Sequence, residues 1–286
     1  MDIAGSAAVV TGAASGLGAA TAAALAARGA AVYGLDLPAA VDGATTVPDG
    51  VTLLPTDVTE EDGVRAALAR IDDDGQQLRL ALNCAGIAPS ARIVSRSGPH
   101  DLGLFRNVVG VNLVGTFNVL RMAAEAMSRL SADADGQRGV VVNTSSVAAF
   151  EGQVGQVAYA ASKGGVAGMT ITAARDLAQH GIRVMAIAPG IVDTPMMAGL
   201  PDDVRAGLGE SVPFPPRLAR PDEYARLVLM IVRTTTSTAR RSGWTAHCGW
   251  GRGRRSRSLS RSAGRGRRRS RARSRGRPAP RSRARR

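Results

Sequence analysis

Six short apolar runs of strand length recur along the chain, separated by longer alanine-rich stretches. The runs are "AAVVTG" (7–12), "AAVYGLD" (30–36), "VTLLPTDV" (51–58), "LRLALNCAG" (78–86), "GVVVNTSS" (139–146) and "RVMAIAPG" (183–190). They are apolar nearly throughout rather than alternating, which is the pattern of parallel strands covered on both faces. Segments 17–28, 59–71, 102–130 and 157–180 have helical length and composition, and Gly29 and Gly181 stand where two of them should stop. Strand–helix alternation of this kind predicts an α/β fold, a doubly wound parallel sheet with right-handed crossovers, in one domain over 1–232. Segment 193–220 is rich in Pro, Gly and Met and too long for a simple connection, so it predicts a lid.

Composition changes this picture at one end only. The 286 residues carry a net charge of +14, yet 233–286 alone contributes 20 arginines and no acidic residue. Residues 1–232 hold 17 basic and 23 acidic side chains, a mildly acidic balance. The N-terminal "MDIAGSAAVVTG" lacks the basic start and long apolar run of a signal peptide, and no segment has the apolar length of a membrane span. Cys84 and Cys248 are isolated, which suggests neither a disulfide framework nor a metal site, and a reducing cytoplasm is the expected compartment.

"TGAASGLG" (11–18) follows the first strand and opens the first helix, with glycines at Gly12, Gly16 and Gly18. Glycines there allow a tight turn and close approach to a pyrophosphate, which the helix N-terminus would receive. The alternative is a glycine-rich turn with no ligand. Asp36 ends the second strand, where a carboxylate accepts from ribose hydroxyls and repels a 2′-phosphate. Its plainer reading is a turn residue before Pro38. No arginine stands beside it, so NAD is expected rather than NADP. "TDV" (56–58) and "NCAG" (83–86) end the third and fourth strands, at the sheet edge where a ligand lies, so Asp57 and Val58 are expected at an adenine. Cys84 reads as a small packing residue that meets the cofactor through its backbone.

Lys163 is the sole lysine in the chain, four residues after Tyr159. On a helix the two lie one above the other, and an ammonium there favours the phenolate, whose ordinary pKa of about 10 is too high for base catalysis near neutrality. Arginine is a poor substitute, because it effectively never deprotonates. Ser146, at the end of the fifth strand, could hold a substrate oxygen beside Tyr159. Asn112, within "GVNLVGTFN", could bind a water that links Lys163 to solvent.

The set TGxxxGxG, NxAG, Asn, Ser, YxxxK and PG resembles the short-chain dehydrogenase/reductase superfamily. "NTSSVAAFEGQVGQVAYAASKGGVAGMT", "IRVMAIAPGIVDTPMM" and "VPFPPRLARPDEYA" are most similar to its type-2 3-hydroxyacyl-CoA dehydrogenases, over 3–232. The resemblance implies a Rossmann fold and a catalytic set of Ser146, Tyr159 and Lys163, completed by Asn112. It implies NAD contacts at Ser15, Leu17, Asp36, Asp57, Val58, Cys84 and Val192, and Thr194 at the nicotinamide carboxamide. Gly12, Gly16, Gly18, Ala85, Gly86 and Pro189 belong to the same motifs, and Tyr159 and Lys163 also face the cofactor. A homotetramer acting on a small molecule, an acyl-CoA thioester or a steroid-like alcohol, is implied as well. A hydroxysteroid dehydrogenase and a 3-oxoacyl-acyl-carrier-protein reductase are the alternatives, and Asp36 argues against the latter's usual NADP.

After Val232 that family continues with a last strand similar to N-P-Y-L-N-G-E-V-I-R-L-D-G-A-L-R-M. This chain has "RTTTSTARRSGWTAHCGWG" instead. With synonymous codons chosen for 233–251 and reading begun at the third base, the same nucleotides encode N-D-Y-L-N-G-E-T-I-R-L-D-G-A-L-R-M-G. The tail therefore reads as a one-base slip near 232–233, which implies a lost last strand and a low-complexity, disordered extension. Two other readings are an inactive product and a basic tail that binds nucleic acid non-specifically by counterion release.

Overall fold

The computed structural model describes residues 1–235 and the backbone of Arg241–Ser242. Expectations for the rest of the tail, Cys248 included, lie outside the described residues. In chain order the elements are β1 (Ala7–Thr11), α1 (Gly16–Ala26), β2 (Ala31–Asp36), α2 (Pro38–Asp42), β3 (Val51–Pro55), α3 (Glu61–Asp73) and β4 (Leu78–Asn83). A small hairpin, β5 (Val94–Ser95) and β6 (Gly98–Pro99), precedes α4 (Leu102–Val109) and α5 (Thr116–Ser128). Then come β7 (Gly139–Thr144), α6 (Ala148–Glu151), α7 (Val157–Leu177), β8 (Ile182–Ile187), α8 (Pro195–Ala198), α9 (Asp202–Glu210), α10 (Pro221–Arg233) and β9 (Arg241–Ser242).

The main sheet runs β3-β2-β1-β4-β7-β8-β9, all parallel. Strand order reverses between β1 and β4, the place where such sheets bind ligands beyond their carboxyl ends. Every residue of β1, β7 and β8 is buried, which accounts for the apolar runs. Val9, Val141 and Val184 face the layer of α3, α5 and α7, while Val10, Val142 and Met185 face α1 and α10. Gly29 and Gly181 take positive φ at helix ends, as expected.

One feature departs from the sequence reading, and two add detail to it. The helix predicted over 102–130 is two helices joined by a π-helical turn, Gly110–Gly115, that contains Asn112. Segment 193–220 contains α8 and α9, and its two ends pair through Asp193 N–H to Ala219 O at 2.8 Å and Ala219 N–H to Ile191 O at 3.0 Å. The edge beside β8 is not bare, because Arg241 and Ser242 pair with Ala186 and Ile187. That two-residue strand is shorter than the six-residue β8 it flanks, so most of β8 has no neighbour on that side among the described residues.

Candidate active site

The loop after β1 is shaped by backbone contacts that only glycine permits. Gly12 has φ +67°, and a Cβ there would lie 3.0 Å from Ala85 N and Cα. At Gly18 a Cβ would stand 2.0 Å from the Gly12 carbonyl oxygen. Gly16, at φ +53°, faces Thr194, whose Cβ would be 3.4 Å from an added Cβ. Ser15 offers no side-chain cap to α1, and the first turn, with Leu17, has no acidic residue. The N–H groups and dipole of α1 therefore favour an anion, and the loop fits a pyrophosphate. Gly18→Ala should lower stability by about 3 kcal/mol or more and abolish dinucleotide binding, since the clashing atoms, Gly12 O and C and Thr11 O, are all backbone. Calorimetry and cofactor titration check this, and a variant with unchanged melting would contradict it.

Asp36 closes the loop from β2. Its carboxylate accepts from Ala14 N–H and Leu37 N–H, each at 2.9 Å, and leaves acceptor capacity for a ribose. Asp57 accepts from the Thr59 N–H and hydroxyl at 2.8 Å, which caps the chain after β3. Val58 is buried, and its carbonyl accepts from Asn118 at 3.0 Å. Cys84 and Ala85 both donate their N–H groups to Thr11 Oγ1 at 3.0 Å, which fixes the loop after β4. The Cys84 thiol packs beside the core, and burial pushes it upward, as expected of a packing residue rather than a nucleophile. Pro189 accepts from Val147 N–H at 3.0 Å, and Val192 bridges to Ala219 where the two ends of segment 193–220 meet.

Tyr159 and Lys163 share one face of α7, with the ammonium 5.8 Å from the phenol ring centre. Lys163 is buried at 4 % exposure and donates to Thr144 O at 2.7 Å. Its own carbonyl accepts from Ser145 Oγ at 2.9 Å. Ser146, also buried, lies near the Tyr159 phenol and accepts from Ala148 N–H at 3.1 Å. The Tyr159 phenol lies above its usual range because burial disfavours the phenolate, and the Ser146 hydroxyl offsets only part of that. The lowering expected from Lys163 is not among the causes of this shift, which burial dominates.

Asn112 has a clamping role that its motif did not show. Its amide is committed to the protein: Oδ1 accepts from Ile87 N–H at 2.8 Å, and Nδ2 donates to Ile87 O at 2.9 Å and Ser162 Oγ at 3.0 Å. It therefore clamps the loop after β4 onto α7, with one lone pair of Oδ1 left over. Gly86 fits the gap, since a Cβ there would lie 3.0 Å from Asn112 Oδ1 and 3.5 Å from Lys163 Nζ. Thr11, Thr144, Ser145 and Ser162 support the site but were not singled out from sequence. Their positions inside the quoted motifs were the one signal available.

Burial pushes the Lys163 ammonium down to about 8 from 10.5, with Cys84 pulling weakly the other way. Below pH 8 both folded and unfolded chains carry that charge, and burying it destabilises the fold. Between 8 and 10.5 the unfolded chain binds more protons, so stability rises with pH by about 3 kcal/mol in all. Lys163→Met should therefore be more stable than the parent at pH 7, by about 1–2 kcal/mol after losing the bond to Thr144. The difference should shrink above pH 8, as urea titrations across pH would show. A variant less stable throughout would contradict the sign.

An open, largely apolar hollow of about 390 Å³ is lined by Ala91, Arg92, Ile93, Val154, Val157 and Ala160, and by none of Ser146, Tyr159 or Lys163. No described helix is long and apolar enough to cross a membrane.

Residues 6–205 match the family model described as short chain dehydrogenase. The Bos taurus protein named 3-hydroxyacyl-CoA dehydrogenase type-2 is 50% identical over 239 residues, covering 82% of this chain and 91% of its own. The crystal structure of 3-hydroxyacyl-CoA dehydrogenase type-2 from Mycobacterium avium superposes with a TM-score of 0.75 at 39% identity, covering 82% of this chain and 92% of that one. The 3-ketoacyl-(acyl-carrier-protein) reductase of Brucella melitensis, solved with NADH, gives 0.73 at 26% identity, covering 83% of this chain and 95% of that one. With the glycine cradle and the Tyr159–Lys163 pair in place, the chain belongs to the short chain dehydrogenase family.

Proposed function

We propose that this chain is an NAD-dependent oxidoreductase that interconverts 3-hydroxyacyl-CoA and 3-oxoacyl-CoA. The observation that carries it is the convergence of Ser146, Tyr159 and Lys163 beside the glycine cradle, at the switch point of the sheet. Asp36 supports NAD over NADP, because a second anion would meet its carboxylate. Gly12, Gly16, Gly18, Ser15 and Leu17 would hold the pyrophosphate end, Asp36, Asp57 and Val58 the adenosine, and Cys84–Gly86, Pro189, Val192 and Thr194 the nicotinamide half. Bound NAD supplies the hydride acceptor.

In oxidation Tyr159 Oη takes the hydroxyl proton, and in reduction it returns that proton. Ser146 Oγ donates to the substrate oxygen and holds it beside the phenol. The Lys163 ammonium favours the phenolate, and with a pKa near 8 it can pass a proton onward at working pH. Asn112 keeps Ile87 and Ser162, and hence the floor of the site, in register. The apolar hollow suits an acyl chain, and Arg92 would meet an anionic group of the thioester. A panel of 3-hydroxyacyl-CoA, steroid and acyl-carrier-protein substrates with both cofactors tests this, and predominant use of NADP would overturn the role of Asp36.

The proposal extends to assembly, compartment and chain end. Val114 and Phe117, each 52% exposed, leave an apolar face on the π-turn and α5 that suits contact between copies in a homotetramer. The free Cys84 thiol suits a reducing cytoplasm. The catalytic domain ends at 232, and 233–286 is out-of-frame sequence. Support comes from relatives whose match spans about four fifths of this chain and about nine tenths of theirs. Resequencing the 232–233 junction decides the last point, and an intact frame through the tail would remove it.

A further inference from the structure

Tyr224 is wholly buried on α10, and nothing in the site described above uses its hydroxyl. For packing alone phenylalanine would serve, and a buried hydroxyl costs stability unless it is bonded. This one is bonded: Tyr224 Oη lies 2.7 Å from Thr144 Oγ1, with Cys84 Sγ 3.8 Å away. Thr144 ends β7, and its carbonyl receives the Lys163 ammonium at 2.7 Å. Of the two residues that follow, Ser145 grips the Lys163 carbonyl and Ser146 lies near the Tyr159 phenol. The far end of α10 is anchored too, since the buried Arg183 donates to Ile231 O at 2.9 Å and Val232 O at 2.8 Å. Tyr224 therefore presents its hydroxyl from a helix fixed at its C-terminal end.

We propose that Tyr224 is a positioning residue for Lys163, fixing through Thr144 the carbonyl oxygen that receives the ammonium. The assignment rests on the dehydrogenase reading for its meaning, but not for its test. The titratable groups facing Lys163 are Tyr159, on its own helix, and Cys84, after β4. Substitutions at 224 or 144 leave Tyr159 in place but take a neighbour from the Cys84 thiol. The shifts they cause in the Lys163 midpoint should therefore persist in a Cys84→Ala background, and shifts that vanish there would overturn the proposal. A fixed carbonyl favours the charged ammonium, so loosening it lowers the pH at which Lys163 loses its proton.

Lys163 is the sole lysine in the chain, so lysine labelled with carbon-13 at Cε gives one resonance to follow by NMR across pH. Tyr224→Phe should lower that midpoint by about half a pH unit, and Thr144→Val by a similar amount. The double variant should shift no further than either single one, because both remove the same bond. Thr144→Ser, which keeps the hydroxyl, should titrate as the parent does. Unchanged midpoints in Tyr224→Phe and Thr144→Val, even with lowered melting temperatures, would overturn the proposal, and so would shifts that add in the double variant. Should Tyr224→Phe fail to fold, Thr144→Val and Thr144→Ser read the coupling from the other side. The titration needs no substrate, so a parent protein without turnover would count against the dehydrogenase reading, while the midpoint decides the coupling by itself.

Discussion

Tyr159→Phe should lower kcat by about 10²- to 10⁴-fold, the usual worth of a positioned acid–base group, and leave cofactor affinity nearly unchanged. The substitution deletes one oxygen and keeps the ring that packs on α7 under Lys163. Ser146 would still hold a substrate oxygen, and Lys163 would still bond Thr144 at 2.7 Å, so the scaffold survives. What is lost is the group that exchanges the alcohol proton. Lys163 cannot stand in, because its ammonium is held by the carbonyl at the end of β7. Steady-state rates with a cofactor-binding titration separate these effects. Retention of more than about a tenth of parental turnover would place the proton transfer elsewhere.

The second large effect concerns cofactor choice. Asp36→Ala should erase most of the preference for NAD over NADP, and Asp36→Asn should do so while keeping a partner for Ala14 N–H. An ionised carboxylate about 4 Å from a 2′-phosphate is repelled by roughly 1–4 kcal/mol at surface-like dielectric values, about five- to a thousand-fold in affinity. Asp36 is placed for this because it ends β2, with one oxygen on Ala14 and the other on Leu37. The ratio of kcat/KM for the two cofactors reads the change. A ratio that stays put in Asp36→Asn would mean that shape, not charge, selects NAD.

The strands and the Tyr159–Lys163 face were legible because they depend on local spacing. Apolar runs report burial on both faces, and four residues make one turn of α7. The π-turn at 110–115 was not legible, since its reason is the grip of Asn112 on Ile87, 25 residues upstream, and on Ser162, 50 downstream. The Tyr224–Thr144 bond spans 80 residues and leaves no local trace in "PDEYA". The sign of the Tyr159 shift was missed for a similar reason, because pair spacing shows the ammonium while burial depends on the whole fold. The short pairing of Arg241–Ser242 came from no motif at all.

Arg183 connects the unusual chain end to this account. It crosses from β8 to Gln137 at 2.8 Å and to the last carbonyls of α10. The proposed slip at 232–233 is thus joined, through α10 and Tyr224, to the strand end that holds Lys163.

The central claim is hydride transfer from a 3-hydroxyacyl-CoA to NAD with Tyr159 taking the proton. Its most direct measurement mixes the purified protein with NAD and a 3-hydroxyacyl-CoA deuterated at the carbinol carbon. The near-ultraviolet band of the reduced nicotinamide should appear, its cofactor should carry the deuterium, and Tyr159→Phe should suppress both. A protein that binds NAD and the thioester yet forms no deuterated reduced cofactor would contradict the account.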